Sequence, residues 1–192
     1  LYGAITAEAI ARAEVQAPER RRAIAMAVTS ASPARGRPTS WSAAIDQLCF
    51  EEEQRRLIVL SAGNIGDDLM PAEHLTRNDL EAVDDPSQAW NALTVGAFTE
   101  KVDIIDTDFA GYAPSAPVGD LQILTTFYRP ELRHFTTLGD TSAATAHAAR
   151  MAGLILSARP ELWPETVRAL IVHSAEWTPA MRARIDACNG AK

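Results

Sequence analysis

Two short stretches of this chain, Ala23-Ile24-Ala25-Met26-Ala27-Val28 and Leu57-Ile58-Val59-Leu60, are apolar at every position. Strands that are apolar on both faces belong to parallel sheets covered by helices on each side. Segments of helical period are interleaved with them. Thr6 is placed to cap a helix running to about Ala17, with Ala7, Ile10, Ala11 and Ala13 near one face. Pro18 and the run Glu19-Arg20-Arg21-Arg22 end it. Thr39 or Ser40 caps a second helix through Ala43, Ile45, Leu48, Cys49 and Phe50. The order helix, strand, helix, strand predicts right-handed βαβ crossovers and an α/β sandwich.

Beyond Leu57 to Ser61 the pattern loosens. Residues from Ile65 to Ala89 read as a long irregular region, and Ala92-Leu93-Thr94-Val95-Gly96-Ala97 as a short third strand. Residues 99 to 138 are loop-rich, with one strand candidate at Leu121 to Phe127. A helix is predicted from Ser142 to about Ala158, ending before Pro160. Two more follow, each opened by proline at its first turn, Pro164-Glu165 and Pro179-Ala180, with Gly190 as a stop.

Composition narrows the function classes. At 192 residues, 47% of them apolar, the chain can bury a substantial single core. A net charge of −7 opposes nucleic-acid binding, which needs a basic face. The short Glu19–Arg22 run reads as a solvated helix end. Cys49 and Cys188 are far apart, outside any metal-ligand spacing, and read as buried free thiols. That favours a reducing, cytoplasmic setting. No apolar run approaches the ~18 residues of a membrane span. Leu1-Tyr2-Gly3 lacks a signal-peptide pattern. Because it begins at Leu, the chain is expected to be a piece of something longer. No cofactor is called for, and no calcium site is legible: the pairs Asp67-Asp68 and Asp84-Asp85 read as solvated loop acids.

The chemistry concentrates in two segments. Gly139-Asp140-Thr141-Ser142-Ala143-Ala144-Thr145-Ala146-His147 puts a serine at the start of a small-residue helix. Leu57 to Ser61 runs into Ala62-Gly63-Asn64, a strand ending in a Gly-Asn turn. Acyl transfer needs a hydroxyl nucleophile, a base, and donors for the oxyanion that forms. Ser142 lies where helix N-terminal amides point outward, so its own N–H is one candidate donor. The Asn64 carboxamide, at a strand's C-terminal end where α/β sheets bind ligands, is the other.

These segments resemble, in the same chain order, the active-site motifs of the subtilisin-like serine peptidases (subtilases). Ile24-Ala25-Met26 with Val28-Thr29 is similar to the strand lining the primary specificity pocket, and Ser61-Ala62-Gly63-Asn64 to the oxyanion turn. Leu93-Thr94-Val95-Gly96-Ala97 resembles the family's Val-Gly-Ala strand, and Phe109-Ala110 with Ala113-Pro114 the loop after it. Thr141-Ser142-x-Ala144-x-x-His147 matches the serine motif, and Pro160-x-x-x-Pro164-x-x-Val167-Arg168 the helix beyond. The resemblance implies a three-layer α/β sandwich with a mostly parallel sheet, incomplete in this chain. It implies Ser142 as nucleophile, Asn64 as oxyanion donor, and Val28, Thr29, Ala62 and Gly63 bordering a groove for a polypeptide substrate, which adds as an extended strand. His147 matches a histidine that packs inside the family's serine helix. Five residues on from Ser142 it points about 140° away, so it is not the general base.

Two departures stand out. Asp140 occupies the position of the glycine that the family places two residues before the serine, and Ala146 replaces a proline. More consequentially, no Asp-Ser/Thr-Gly strand end and no His-Gly-Thr-His motif precedes Asn64, although the triad order is Asp, His, Ser. His74, His134 and His173 read as structural or solvated. Residues 1 to 192 are therefore expected to be the C-terminal portion of a single peptidase domain, inactive alone, whose N-terminal portion carries Asp and His. A catalytically dead pseudopeptidase that binds peptide is the alternative. An aspartic-protease reading of Asp140-Thr141-Ser142 fails, because that chemistry needs two carboxylates across β-hairpins and this motif runs into a helix. Trp163 and Trp177 are expected in the core or at a docking face.

Overall fold

Three strands run parallel in the order β1 (Ala23–Met26), β2 (Leu57–Ser61), β3 (Leu93–Val95). Ala23 stands opposite Leu57, and Val59 opposite Leu93. The computed structural model describes residues 1–30, 36–51, 55–64, 82–98 and 122–190. The helices are α1 (Tyr2–Gln16), α2 (Ser40–Cys49), α3 (Asp140–Ala158), α4 (Pro164–Ser174) and α5 (Pro179–Gly190), with an antiparallel hairpin of β4 (Ile123–Thr126) and β5 (Phe135–Leu138) leading into α3.

All five residues of β2 are buried, and its side chains divide between two cores. Ile58 and Leu60 pack with Ile10, Trp41, Ile45 and Cys49 from α1 and α2. Leu57 and Val59 pack with Ala148, Ala152 and Leu156 of α3 and Val167 of α4. Alternating side chains point to opposite faces of a strand, so the molecule has helix, sheet and helix layers, an α/β sandwich on a parallel sheet as expected. Full burial of each of these aliphatic side chains stabilises the fold by about 1.5–3 kcal/mol. Ala148 and Ala152 keep the α3 face short, which lets that helix lie close on the sheet.

Several boundaries differ from expectation. Thr6 does not cap α1, which starts four residues earlier at Tyr2. Its hydroxyl donates to the Tyr2 carbonyl (2.9 Å) and accepts from Trp41 Nε1 (3.0 Å), tying α1 to α2. For α2 the cap is Thr39: its hydroxyl accepts from the amides of Trp41 and Ser42, and Ser42 Oγ accepts from the Thr39 amide at 2.6 Å, a reciprocal box. β1 ends at Met26 and lies at the sheet edge with Ala25 exposed, so cover on both faces holds for β2 and fails for β1. β5 was not anticipated. It pairs with β4 from Ile123↔Leu138 to Thr126↔Phe135. α3 opens two residues before Ser142, whereas the helices at Pro164 and Pro179 start as predicted. Trp163 and Trp177 are exposed and belong to neither core. Asp67-Asp68, His74, Phe109-Ala110 and Ala113-Pro114 lie outside the described residues. Among the described residues no helix is long and apolar enough to cross a membrane.

Cys49 is a free, buried thiol in the α1/α2 core. Burial, with the Asp46 carboxylate nearby, pushes it up to about 11. The thiolate is the reactive form, so Cys49 should resist iodoacetamide at pH 8 in the native protein and react readily in denaturant. Peptide mapping that finds Cys49 alkylated at equal rates in both conditions would refute this burial.

Candidate active site

The turn after β2 is clamped on both flanks. The Ala62 amide donates to the Val95 carbonyl (3.0 Å) and the Asp84 amide to the Ala62 carbonyl (2.9 Å). Ser87 Oγ donates to the Ser61 carbonyl. Gly63 has φ +94°, a region open chiefly to glycine. A Cβ built there would fall 2.2 Å from Asp84 Oδ2, so both backbone and space demand glycine. Asp84 and Asp85 are not merely solvated acids: one seats against Gly63, and the other accepts from the Thr39 hydroxyl at 2.5 Å.

Across from this turn, the first turn of α3 presents Asp140, Thr141 and Ser142. The Thr141 amide donates to Asn64 Oδ1 at 3.2 Å. Its hydroxyl lies 2.7 Å from Ser61 Oγ, 3.0 Å from the Gly63 carbonyl oxygen and 2.6 Å from Asn64 Oδ1. The hydroxyl has one proton. Ser61 therefore donates to Thr141, and the Thr141 proton is shared between the two carbonyl-type oxygens. Since an amide N–H can only donate, the Asn64 oxygen faces Thr141 and its NH₂ is turned away from the helix. Thr145 Oγ1 donates to the Thr141 carbonyl at 2.7 Å and ties the same residue one turn on.

The structure thus brings Asn64 to the residue immediately before Ser142. Ser142 is half-buried, as are Ala62 and Gly63, and Asn64 is exposed. Val28 and Thr29 follow β1 and so lie at the same C-terminal edge of the sheet, Val28 exposed and Thr29 half-buried. Both border an apolar cavity of about 520 Å³ between α1 and β1, with Ile24, Met26 and Trp41. Among the described residues no hydrogen bond joins them to Asn64 or Ser142. His147 is exposed and does not pack inside; His134, beside the hairpin turn, and His173, in the last turn of α4, are exposed too. The Ser61–Thr141 contact, the seat of Asp84 against Gly63 and the hub role of Thr141 have no counterpart in the sequence pattern, which places Ser61 in the oxyanion turn and Asp84 among solvated acids. The only local signal was a hydroxyl residue closing an otherwise apolar strand.

The chain matches the model of the subtilase family over residues 1–190. It belongs to that family. Among solved structures it is similar to a serine protease, MycP1, described as an essential component of the type VII (ESX-1) secretion system. The identity is 19% and the TM-score 0.46, over 75% of this chain and 44% of that one, so the chain spans less than half the length of that protein.

Within this subtilase the Asp140 departure acquires a geometry. Asp140 has φ +59°, so the backbone keeps the left-handed conformation for which the family's pattern supplies glycine. For most L-residues that conformation costs roughly 1–2 kcal/mol, and Asp is among the few that visit it. Its carboxylate also sits in the first turn of α3, where the helix dipole favours negative charge.

Two substitutions test this arrangement. Gly63→Ala should cost about 2 kcal/mol or more, from the φ and the Asp84 contact together; an unchanged urea midpoint would contradict the turn geometry. Thr141→Val should cost about 1–3 kcal/mol by stranding polar partners, whereas Thr141→Ser keeps most of the stability. Full stability retained in Thr141→Val, with the loss falling on Thr141→Ser, would show that the methyl group matters and the hydroxyl does not.

Proposed function

We propose that this chain carries the nucleophile and the oxyanion site of a serine endopeptidase, completed by residues from outside the 192. The observation that supports it most is the 3.2 Å bond from the Thr141 amide to Asn64 Oδ1, since it holds the Asn64 carboxamide against the serine-bearing turn and leaves its NH₂ free to donate. Ser142 Oγ attacks the carbonyl carbon of the scissile peptide. Its proton passes to a histidine, which later delivers it to the leaving amine, and an acyl-enzyme forms on Ser142. The developing oxyanion takes hydrogen bonds from Asn64 Nδ2 and from the Ser142 amide. That amide is one of the first-turn N–H groups without an intrahelical partner. The substrate polypeptide lies extended along Val28-Thr29 on one side and Ala62-Gly63 on the other.

Neither the Asp nor the His motif of the family occurs among the 192 residues. We place both in an N-terminal portion of the same domain, of which this chain forms the C-terminal portion and with which it partners. A serine without its base turns over slowly, with residual catalysis from oxyanion binding alone. A pseudopeptidase is favoured by one observation, Asp140: a carboxylate at the mouth of an oxyanion site opposes the negative charge that must develop there.

Mixing the chain with the N-terminal portion of its parent should yield peptide cleavage and labelling of Ser142 by a fluorophosphonate, with neither from the chain alone. In the completed enzyme Asn64→Ala should lower kcat by about 10²–10³, a magnitude borrowed from subtilisin itself, which belongs to the same family. Rapid labelling of Ser142 in the isolated chain would overturn the division of the triad. A parent sequence without an upstream Asp and His would leave the pseudopeptidase.

A further inference from the structure

At the N-terminal ends of β1 and β2, on the opposite edge of the sheet from Asn64, lies a second cavity of about 550 Å³. Five residues of its wall are arginines: Arg20, Arg21 and Arg22, which lead into β1, and Arg55 and Arg56, which lead into β2. The parallel register that sets Ala23 against Leu57 lays these two approach segments side by side. The acids in the wall are Glu14 and Glu19. In a chain of net charge −7 this is a local reversal of sign.

We propose that this cavity is an anion site for a compact polyphosphate group. Two of the arginines build the wall. Arg56 is almost buried and donates to both Glu14 oxygens (2.6 and 3.0 Å) and to Glu51. That hydrogen bond holds the Glu14 carboxyl below the usual carboxylate range, so Glu14 is ionised and committed to Arg56. Arg22 donates to the carbonyls of Ala13 (2.7 Å) and Ala17 at the end of α1. The other three supply the ligand's donors. The Arg55 guanidinium lies over the Trp163 ring, 4.6 Å from its centroid, and only Nη1 is used, toward Glu165 at 3.1 Å. The side chains of Arg20 and Arg21 are exposed and make no hydrogen bond or ion pair among the described residues.

Arg55 and Arg56 are already paired with carboxylates, but the guanidinium groups of Arg20 and Arg21 have no ion pair among the described residues and repel their neighbours, a term that a bound oxyanion reverses. Arginine forks from two chain segments suit a group with oxygens pointing in several directions, such as linked phosphates. The cavity volume lies within the range of small-ligand pockets, which favours a compact anion over a length of acidic polypeptide. No part of this reading depends on Ser142 or Asn64.

Calorimetric titration of the 192-residue chain with inorganic tripolyphosphate, at low and at high salt, tests the proposal. One saturable site is expected, weaker at high salt, with affinity reduced about tenfold or more in the Arg20→Ala/Arg21→Ala double variant. Both side chains are exposed, so the variant should keep the wild-type circular dichroism and melting temperature. Binding undiminished in that variant, or no saturable heat with tripolyphosphate, would overturn the site. Tighter binding of a tetraglutamate peptide than of tripolyphosphate would overturn the phosphate assignment in favour of an acidic polypeptide. Arg55→Lys gives a second readout: it keeps the charge but removes the fork held over Trp163, and unchanged affinity there would also count against the proposal.

Discussion

Leu57–Ser61 has no face in contact with water, and that constraint positions nearly everything else. Two of its aliphatic side chains are claimed by α3 and α4 and two by α1 and α2. A slip of one residue in its pairing would exchange these sets and aim each at the wrong layer. The register is therefore pinned by packing on both sides, and the turn that follows inherits its place. Asn64 stands three residues past the strand end, and its location is settled by the burial of Leu57 to Leu60 upstream.

Polar contacts then carry that precision across to α3. A single Thr141 hydroxyl touches the strand end, the turn carbonyl and the Asn64 carboxamide, while the Thr141 backbone amide holds the same carboxamide oxygen. In such a network each bond supports the others, and losing one member weakens the rest. Its geometry also settles which end of the carboxamide faces outward, something no pattern of residues can reveal. The helix that bears it is anchored independently, by Ala148, Ala152 and Leu156 on the sheet.

Legibility followed burial. β2, the helices opened by Pro164 and Pro179, and the layered order could be read because period, proline placement and apolar runs are local signals. β1 misled because Ala25 is apolar yet exposed at an edge, and small apolar residues say little about cover. The Thr6 cap failed because a threonine inside a helix can satisfy its hydroxyl on the preceding turn, as it does on Tyr2. β5 was missed because Phe135-Thr136-Thr137-Leu138 lacks alternation and is largely exposed; its pairing with β4 defines it. In the site, the residue types of the two motifs were visible, but the Ser61–Thr141 contact, spanning 80 positions, was not.

The backbone at Asp140 has an evolutionary corollary. A position held at φ +59° admits few side chains, glycine first and then asparagine or aspartate. A glycine codon ending in a pyrimidine becomes an aspartate codon by one base change, so a lineage can exchange a neutral residue for an acidic one here without refolding the turn. The serine's immediate electrostatic environment is thereby open to mutation at a point where the main chain is not.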